Sequence, residues 1–443
     1  MYSCGPTVYS PIHIGNLRAY IFSDTLARTL TAAGYHVRRV MNITDFGHLV
    51  SDADEGEDKM SKGLRRDGLA ITLENMRTMA EKYAALFIDD LAEMDVHIEE
   101  LTFPRASDFI PEQIALIKTL EQKGYAYRTK EGVYYDTSRF PSYGKLGGIN
   151  LAAQKETARM EKNKDKRNPA DFVLWKSDPA LGWTSPWGMG FPGWHIECSA
   201  MSRALLGQEI DIHTGGEDLA PVHHNNEIAQ SEAASGRTFV HYWLHNAFLN
   251  LNGEKISKSL KNDIYLADII AKGFHPLALR YFFLQAHYRT PISFSWDALA
   301  GASGALERLW KVSADIKTES KERSAPSEAR ERFLVAMRDD LGTPQALGVI
   351  WDSLRSEDFA PEEKWGLILD ADEHLGLSLL NPPTQALKQD DIPQSVKDLL
   401  TRRETARTAK NFKEADRIRA EIEKGGYRVD DGTNGPVLIR STL

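Results

Sequence analysis

The pattern of apolar and polar positions opens with a short strand over residues 1 to 8 that ends at Gly5-Pro6. A loop follows, then a helix from about Gly15 to Ala33, closed by Gly34. His36 to Ile43, rich in valine with alternating partners, reads as a second strand. Strand, loop, helix and strand in this order make a βαβ unit, which predicts a parallel sheet. A long amphipathic helix fits Leu73 to Met94. Residues 110 to 176 mix a helix, short strands (Gly132 to Asp136, Phe172 to Trp175) and a charged stretch, Glu161 to Arg167. This reads as an insertion between two halves of the sheet domain. The sheet pattern resumes at Glu209 to Ile212 and Tyr242 to Asn250. After Ser295 helical periodicity dominates to about Gly425, with polar breaks at Lys317 to Ser327 and Asn381 to Pro393. Thr343-Pro344 reads as a helix start, threonine as N-cap. Thr401 to Glu423 reads as one helix, with an apolar stripe at Ala406, Ala409, Phe412, Ala415, Ile418 and Ile422. Arg407, Lys410, Lys413 and Arg417 form a basic face beside it.

These signals divide the chain at 1–105 and 176–262 (two halves of a Rossmann-like α/β domain), 106–175 (insertion), 263–315 and 316–395 (helical), and 396–443 (terminal helix and small tail). Length alone predicts roughly three domains. Hydrophobic content of 42% and charged content of 26% describe an ordinary soluble globular protein. Sixty-three acidic against 54 basic residues give a net charge of −9, so a nucleic-acid partner would need local basic surface. No apolar run reaches the roughly 20 residues that span a bilayer. Two cysteines cannot build a disulfide framework, so a cytoplasmic setting is expected.

Those two cysteines alter the picture. Cys4 sits four residues into the chain, within the first strand, and Cys198 lies in Gly193-Trp194-His195-Ile196-Glu197-Cys198. His223 and Glu227 follow soon after; four apart, they share one helix face, whereas His224 points about 100° away. Thiolates, imidazole and carboxylate are all zinc ligands. Taken singly, either cysteine reads as a buried apolar thiol, and His195 or His213 equally as a hydrogen-bonded core histidine. Two further motifs suit phosphate. His13-Ile14-Gly15-Asn16 sits between the first strand and its helix, where free N–H groups favour an anion. Lys255-Ile256-Ser257-Lys258-Ser259 follows a strand and an Asn252-Gly253 turn.

The last two motifs together resemble the HIGH and KMSKS signatures of class I aminoacyl-tRNA synthetases, with Asn16 for the final histidine and Ile256 for the methionine. Residues 2 to 9, Pro192 to Met201, His223 to Ser231 and Gly253 to Leu260 resemble cysteinyl-tRNA synthetases, and the likeness covers nearly the whole chain. The resemblance implies zinc held by Cys4, Cys198, His223 and Glu227 in a cysteine pocket lined by Trp194, His195, His213 and Thr44. It implies ATP bound by His13, Gly15, Asn16, Gly215, Gly216 and Asp218. Lys255 and Lys258 would stabilise the pyrophosphate, with Mg²⁺ as the nucleotide's counter-ion. The implied partners are ATP, L-cysteine and tRNA-Cys, with no membrane, and the implied state is a monomer. The helical C-terminal part would contact the tRNA stem and bind the anticodon. The run after the second strand, Thr44 to Met60, reads as the family motif opened by an insertion, with an acidic cluster from Asp52 to Asp58. The tail Val437 to Arg440 lacks the family's tryptophan. Two other readings share these residues: a cysteine:amino-sugar ligase of mycothiol synthesis, and a non-catalytic tRNA-binding paralogue.

Overall fold

The computed structural model describes residues 1–46, 59–147, 166–251, 254–255, 263–317, 327–383, 392–432 and 435–440. The acidic cluster at 52–58 and the segment 256–262, with Lys258, lie outside them.

β1 (Tyr2–Ser3) leads through a loop into α1 (Ile14–Ala32), and β2 (Arg39–Met41) returns parallel to β1. α2 (Lys59–Arg66) and α3 (Leu73–Glu93) follow, with Thr72 capping α3 by accepting from the Asn75 N–H, and then β3 (Leu101–Thr102). After the insertion come α5 (Trp194–Leu206), β9 (Ile210–Gly216), α6 (Asn225–Ser235) and β10 (Val240–Asn246). The main sheet runs β10-β9-β1-β2-β3, all parallel. Chain order reverses at β1, which lies between β2 and the much later β9. Open parallel sheets bind ligands at such a switch point, outside the carboxyl ends of the strands.

The insertion carries α4 (Ile110–Gln122) and its own antiparallel sheet, ordered β4-β5-β6-β8-β7. Its strands are β4 (Ala126–Arg128), β5 (Gly132–Tyr135), β6 (Phe172–Ser177), β7 (Trp183–Ser185) and β8 (Gly188–Pro192). A boundary at 175/176 therefore falls inside β6, and the sheet runs on to Pro192. The last two strands are short and glycine-punctuated, so no apolar alternation announces them. Gly182, at φ +116°, and Gly190 lie where a β-carbon would meet backbone at about 2 Å.

Downstream, β11 (Leu249–Leu251) pairs with β12 (Glu254–Lys255) and with β13 (Ile292–Phe294). The helices are α7 (Leu266–Ala271), α8 (Pro276–Leu284), α9 (Trp296–Ile316), α10 (Glu328–Arg338), α11 (Thr343–Arg355) and α12 (Pro361–Leu375). They share one apolar core with α1, built on residues such as Leu17, Ile21, Leu279, Leu309, Phe333 and Leu367. Thr343 is the first residue of α11, and Gly342 occupies the N-cap expected of the threonine.

The expected single helix over 401–423 is two, α13 (Gln394–Thr408) and α14 (Phe412–Lys424). Lys410 adopts φ +57°, and the Asn411 side chain caps α14 by accepting from the Glu414 N–H. The break leaves Phe412 62% exposed instead of within the apolar stripe. A hairpin of β14 (Tyr427–Gly432) and β15 (Gly435–Arg440) ends the described chain.

One buried ionic cluster ties sheet to helices. Asp24 of α1 is fully buried and accepts from Arg28 Nε at 2.7 Å, Arg280 Nη2 at 2.7 Å and Arg39 Nη2 at 3.2 Å. Arg280 also donates to the carbonyls of Leu375 and Met94 at 2.6 and 2.9 Å. Burial alone would raise the Asp24 carboxyl; Arg280, Arg28 and Arg39 hold it well below the usual carboxylate range.

Candidate active site and metal centre

Cys4 lies immediately beyond β1, where its N–H bonds the Thr214 carbonyl at 3.2 Å and extends the pairing toward β9. The sulfur is thus delivered to the carboxyl edge of the sheet at the switch point. Cys198 is buried on α5. α5 starts at Gly193, whose β-carbon would meet the Val173 carbonyl oxygen at 2.1 Å, so only glycine lets the helix approach the insertion sheet this closely.

His223 and Glu227 arrive through a turn that sequence spacing does not announce. Ala220 to His224 form a π-helical turn, closed by the His224 N–H on the Leu219 carbonyl at 3.0 Å, before α6 begins. His223 Nε2 stands 3.0 Å from Glu227 Oε1. Cys4 Sγ lies 3.8 Å from the same oxygen. One ligand atom each from Cys4, Cys198, His223 and Glu227 fall within 4.8 Å of one another. The structure thus brings together the four residues singled out above.

The donor set fits a soft divalent cation. Tetrahedral bonds of about 2.0–2.3 Å to nitrogen, oxygen and sulfur place ligand atoms about 3.3–3.8 Å apart, close to what is seen here. The protonation pattern is that of a site waiting for a cation. A hydrogen bond from Cys4 stabilises the Cys198 thiolate against burial, and His223 assists, so the Cys198 pKa falls to about 6. Burial, with the neighbouring Cys198 and Glu227, pushes the Cys4 thiol up. Burial also works against Glu227, but His213 and His223 pull its carboxyl down to about 2. Burial disfavours the His223 imidazolium, yet Glu227 and Cys198 raise it to about 10. One proton on His223 therefore stands between two anions.

A second set, Cys4, His213, His224 and Glu227, is equally compact and shares two members with the first. His224 was expected to point away; the π-turn instead sets its Nε2 3.5 Å from Cys4 Sγ. The first set offers two sulfurs, the second only one, and thiolate softness favours the first for zinc.

The other pocket residues take defined places. His195 Nδ1 meets His223 Nδ1 at 2.8 Å, fixing the ring whose Nε2 faces Glu227. His213 Nε2 meets Glu227 Oε2 at 3.0 Å. The Trp194 ring lies 4.5 Å from that of His223, with Lys59 Nζ 5.3 Å from the indole centroid. Thr44 is buried and donates to Glu197 Oε2 at 2.8 Å. Glu197 was not singled out, although it lies in the same six-residue block as Cys198; it is fully buried, and burial raises its carboxyl well above the usual range. His245 and Trp243 were missed as well. His245 Nε2 meets His224 Nδ1 at 2.8 Å, and Trp243 stacks on His213 at 4.5 Å. Alternation along β10 was the available signal for both.

On the nucleotide side, His13 is the N-cap of α1 and uses no side-chain cap bond, while Asn16 is exposed. Because α1 follows β1, its positive N-terminal end faces the same edge as Cys4. Gly215 and Gly216 end β9, and Asp218 follows, exposed. A β-carbon on Gly215 would lie 2.9 Å from His224 Cε1, so the His224 ring occupies the approach that this glycine opens. Lys255 ends β12, and Lys258 lies outside the described residues.

Residues 1–304 match the family model for the class I (C) tRNA synthetase catalytic domain. Residues 389–435 match that for the cysteinyl-tRNA ligase anticodon binding domain. Together with the switch-point site, these place the chain among class I aminoacyl-tRNA synthetases. Within that class, it belongs to the cysteine–tRNA ligase family. It is 44% identical to cysteine–tRNA ligase 1 of Burkholderia lata over 99% of this chain and 92% of that protein. Identity to the cysteine–tRNA ligase of Treponema denticola is 42%, over 97% and 93%. The fold is shared with Mycobacterium tuberculosis methionyl-tRNA synthetase bound by methionyl-adenylate, at a TM-score of 0.58 and 14% identity over 87% of this chain and 92% of that one. Among the described residues no helix is long and apolar enough to cross a membrane.

Proposed function

We propose that this chain activates L-cysteine with ATP to cysteinyl-adenylate and transfers the cysteinyl group to the 3′ end of tRNA-Cys. The observation that carries the reading is the constellation of half-buried Cys4 with buried Cys198, His223 and Glu227 at the switch point, in a chain of this family. Zinc held there would supply a soft Lewis acid that binds a substrate sulfur as thiolate and so separates cysteine from serine, a near-isostere that a neutral pocket rejects poorly.

The chain's own residues do the rest. Cys198 contributes a ready thiolate, and His195 orients His223. Glu227 is shared between His223 and His213, so its carboxylate cannot swing away. Trp194, half-buried, and the Thr44–Glu197 pair wall the amino-acid side. His13 and Asn16 at the start of α1 bind ATP near its α-phosphate, which the cysteine carboxylate attacks. Gly215, Gly216 and Asp218 border the adenosine, and Lys255 and Lys258 stabilise the departing pyrophosphate with Mg²⁺. No protein nucleophile is needed, because positioning and charge stabilisation suffice for such chemistry.

The match over 389–435 supports tRNA over an amino sugar as acceptor, with α13 and α14 nearest the anticodon and residues 263–315 against the stem. Neither cysteine is in a disulfide, as suits a reducing cytoplasm, and the chain would work there as a monomer. Cysteine-dependent ATP–pyrophosphate exchange, measured beside zinc stoichiometry, tests the reading. Exchange with about one zinc per chain is expected, and a zinc-replete protein without exchange would overturn it.

A further inference from the structure

The insertion touches the helix that carries Glu227 at three successive levels, the first of which also holds the turn that presents His223. Asn225, 2% exposed, directly follows the π-turn that presents His223. Its Nδ2 donates to the Ala220 carbonyl at 2.7 Å and the Pro221 carbonyl at 3.3 Å, both inside that turn. The same nitrogen donates to the Leu146 carbonyl at 2.8 Å, while Oδ1 accepts from the Leu146 N–H at 3.3 Å. One side-chain amide thus joins the turn to a backbone segment of the insertion. Asn226, 1% exposed, accepts from Tyr143 Oη at 2.6 Å. One turn further along, Tyr135 Oη donates to the Ala229 carbonyl at 3.0 Å. Ser199 of α5 donates to Gln230 Oε1 of α6 at 2.6 Å, next to Cys198.

A π-turn is a local departure from regular helix and persists where its surroundings favour it. His223 and Glu227 pair through ordinary helical spacing; what the turn sets is where that pair, with His224 beside it, sits against the rest of the site, and Asn225 bonds two of the turn's carbonyls, those of Ala220 and Pro221. We propose that the insertion is a positioning element for the metal centre, acting through Asn225 and the Tyr143–Asn226 pair, so that metal affinity depends on residues that never touch the metal. The inference rests on the zinc reading above. It concerns ligand geometry, which activity alone does not report.

Asn225→Asp keeps the acceptor for the Leu146 N–H but sets a carboxylate oxygen against three carbonyls. Tyr143→Phe removes a single hydroxyl. Tyr127→Phe serves as control, because that hydroxyl bonds Asp171 at 2.8 Å within the insertion and makes no bond to α6. Zinc content and affinity would be measured by chelator competition on the full chain, with the cobalt-substituted spectrum, melting temperature and the KM values for cysteine and ATP. Loss of a group that orients metal ligands costs about 10- to 100-fold in affinity. Asn225→Asp is expected at the upper end of that range and Tyr143→Phe at the lower. The cobalt spectrum should shift in both, the cysteine KM should rise with zinc loss and recover with added zinc, and the ATP KM should stay within about twofold. Tyr127→Phe should lower the melting temperature alone.

Native zinc affinity in the folded variants would overturn the proposal, as would an equal loss in Tyr127→Phe. If Asn225→Asp does not fold, Tyr143→Phe decides. Wild-type protein that binds no zinc would instead sink the metal reading itself.

Discussion

Two buried polar clusters flank the same stretch of sheet, and they are built on opposite principles. Around Asp24, one carboxylate is met on both oxygens by three guanidiniums, and Arg280 spends its remaining donors on backbone carbonyls. Around Cys198, two thiols and a carboxylate converge, and the chain sets imidazoles rather than guanidiniums against them, His223 and His213 each on one oxygen of Glu227. In the first cluster the buried carboxylate is met entirely by the chain's own cations, and it fastens α1, β2, α8 and α12 together. The second gathers acceptors that the chain does not neutralise, so its completion comes from outside. A buried carboxylate already met by the chain's own guanidiniums marks a fastening, whereas converging thiols, imidazole and carboxylate left for an outside cation mark a binding site.

The strongest way to break this comparison is Cys198→Ser. If the site is completed from outside, bound zinc should be lost, and cysteine-dependent exchange should fall well beyond the roughly hundredfold cost of losing an outer partner. Metal analysis beside exchange kinetics checks this, and fold stability without zinc should change little. Asp24→Asn should do the reverse. Removing one partner from a buried ionic cluster costs about 3–5 kcal/mol, read as a lower denaturation midpoint, while zinc affinity in the folded protein is retained.

Proton linkage sharpens the contrast with smaller effects. His223, held up near 10, carries a proton at neutral pH that a metal must displace. Zinc affinity should therefore rise at least about tenfold per pH unit between about pH 7 and 9, measured by chelator competition. Asp24 is shifted in the opposite direction and titrates in a separate, acidic window. Its folded-state pKa is depressed, so its contribution is fully present above the unfolded carboxylate pKa of about 4 and is lost as pH falls below that. Urea titrations should show wild-type stability dropping more steeply than Asp24→Asn between about pH 4 and 2.

Much of this was legible in the chain, for physical reasons. The βαβ start announces itself because helix and strand periods differ, and the thiols stand out because there are only two. The π-turn was not legible. Helical spacing was enough to pair His223 with Glu227 but wrongly turned His224 away, because a wider turn leaves no compositional mark. Glu197 and the Thr44 bond to it were missed because burial of a carboxyl is a tertiary event. The break at Lys410 was missed because the stripe from Ala406 to Ile422 is continuous in sequence, while the cap at Asn411 acts through one side chain.

The strand order also dictates a timetable. β1 is made first, yet one of its two neighbours, β9, spans Ile210–Gly216, and the metal turn ends at His224. At ribosomal speeds of about 5–20 residues per second, Cys4 waits some 10–45 s for its partners to be synthesised. During that interval the leading thiol has neither its sheet neighbour nor the other three ligands. The centre therefore cannot load as the chain emerges from its amino end; it closes only when the second half of the sheet docks beside the first.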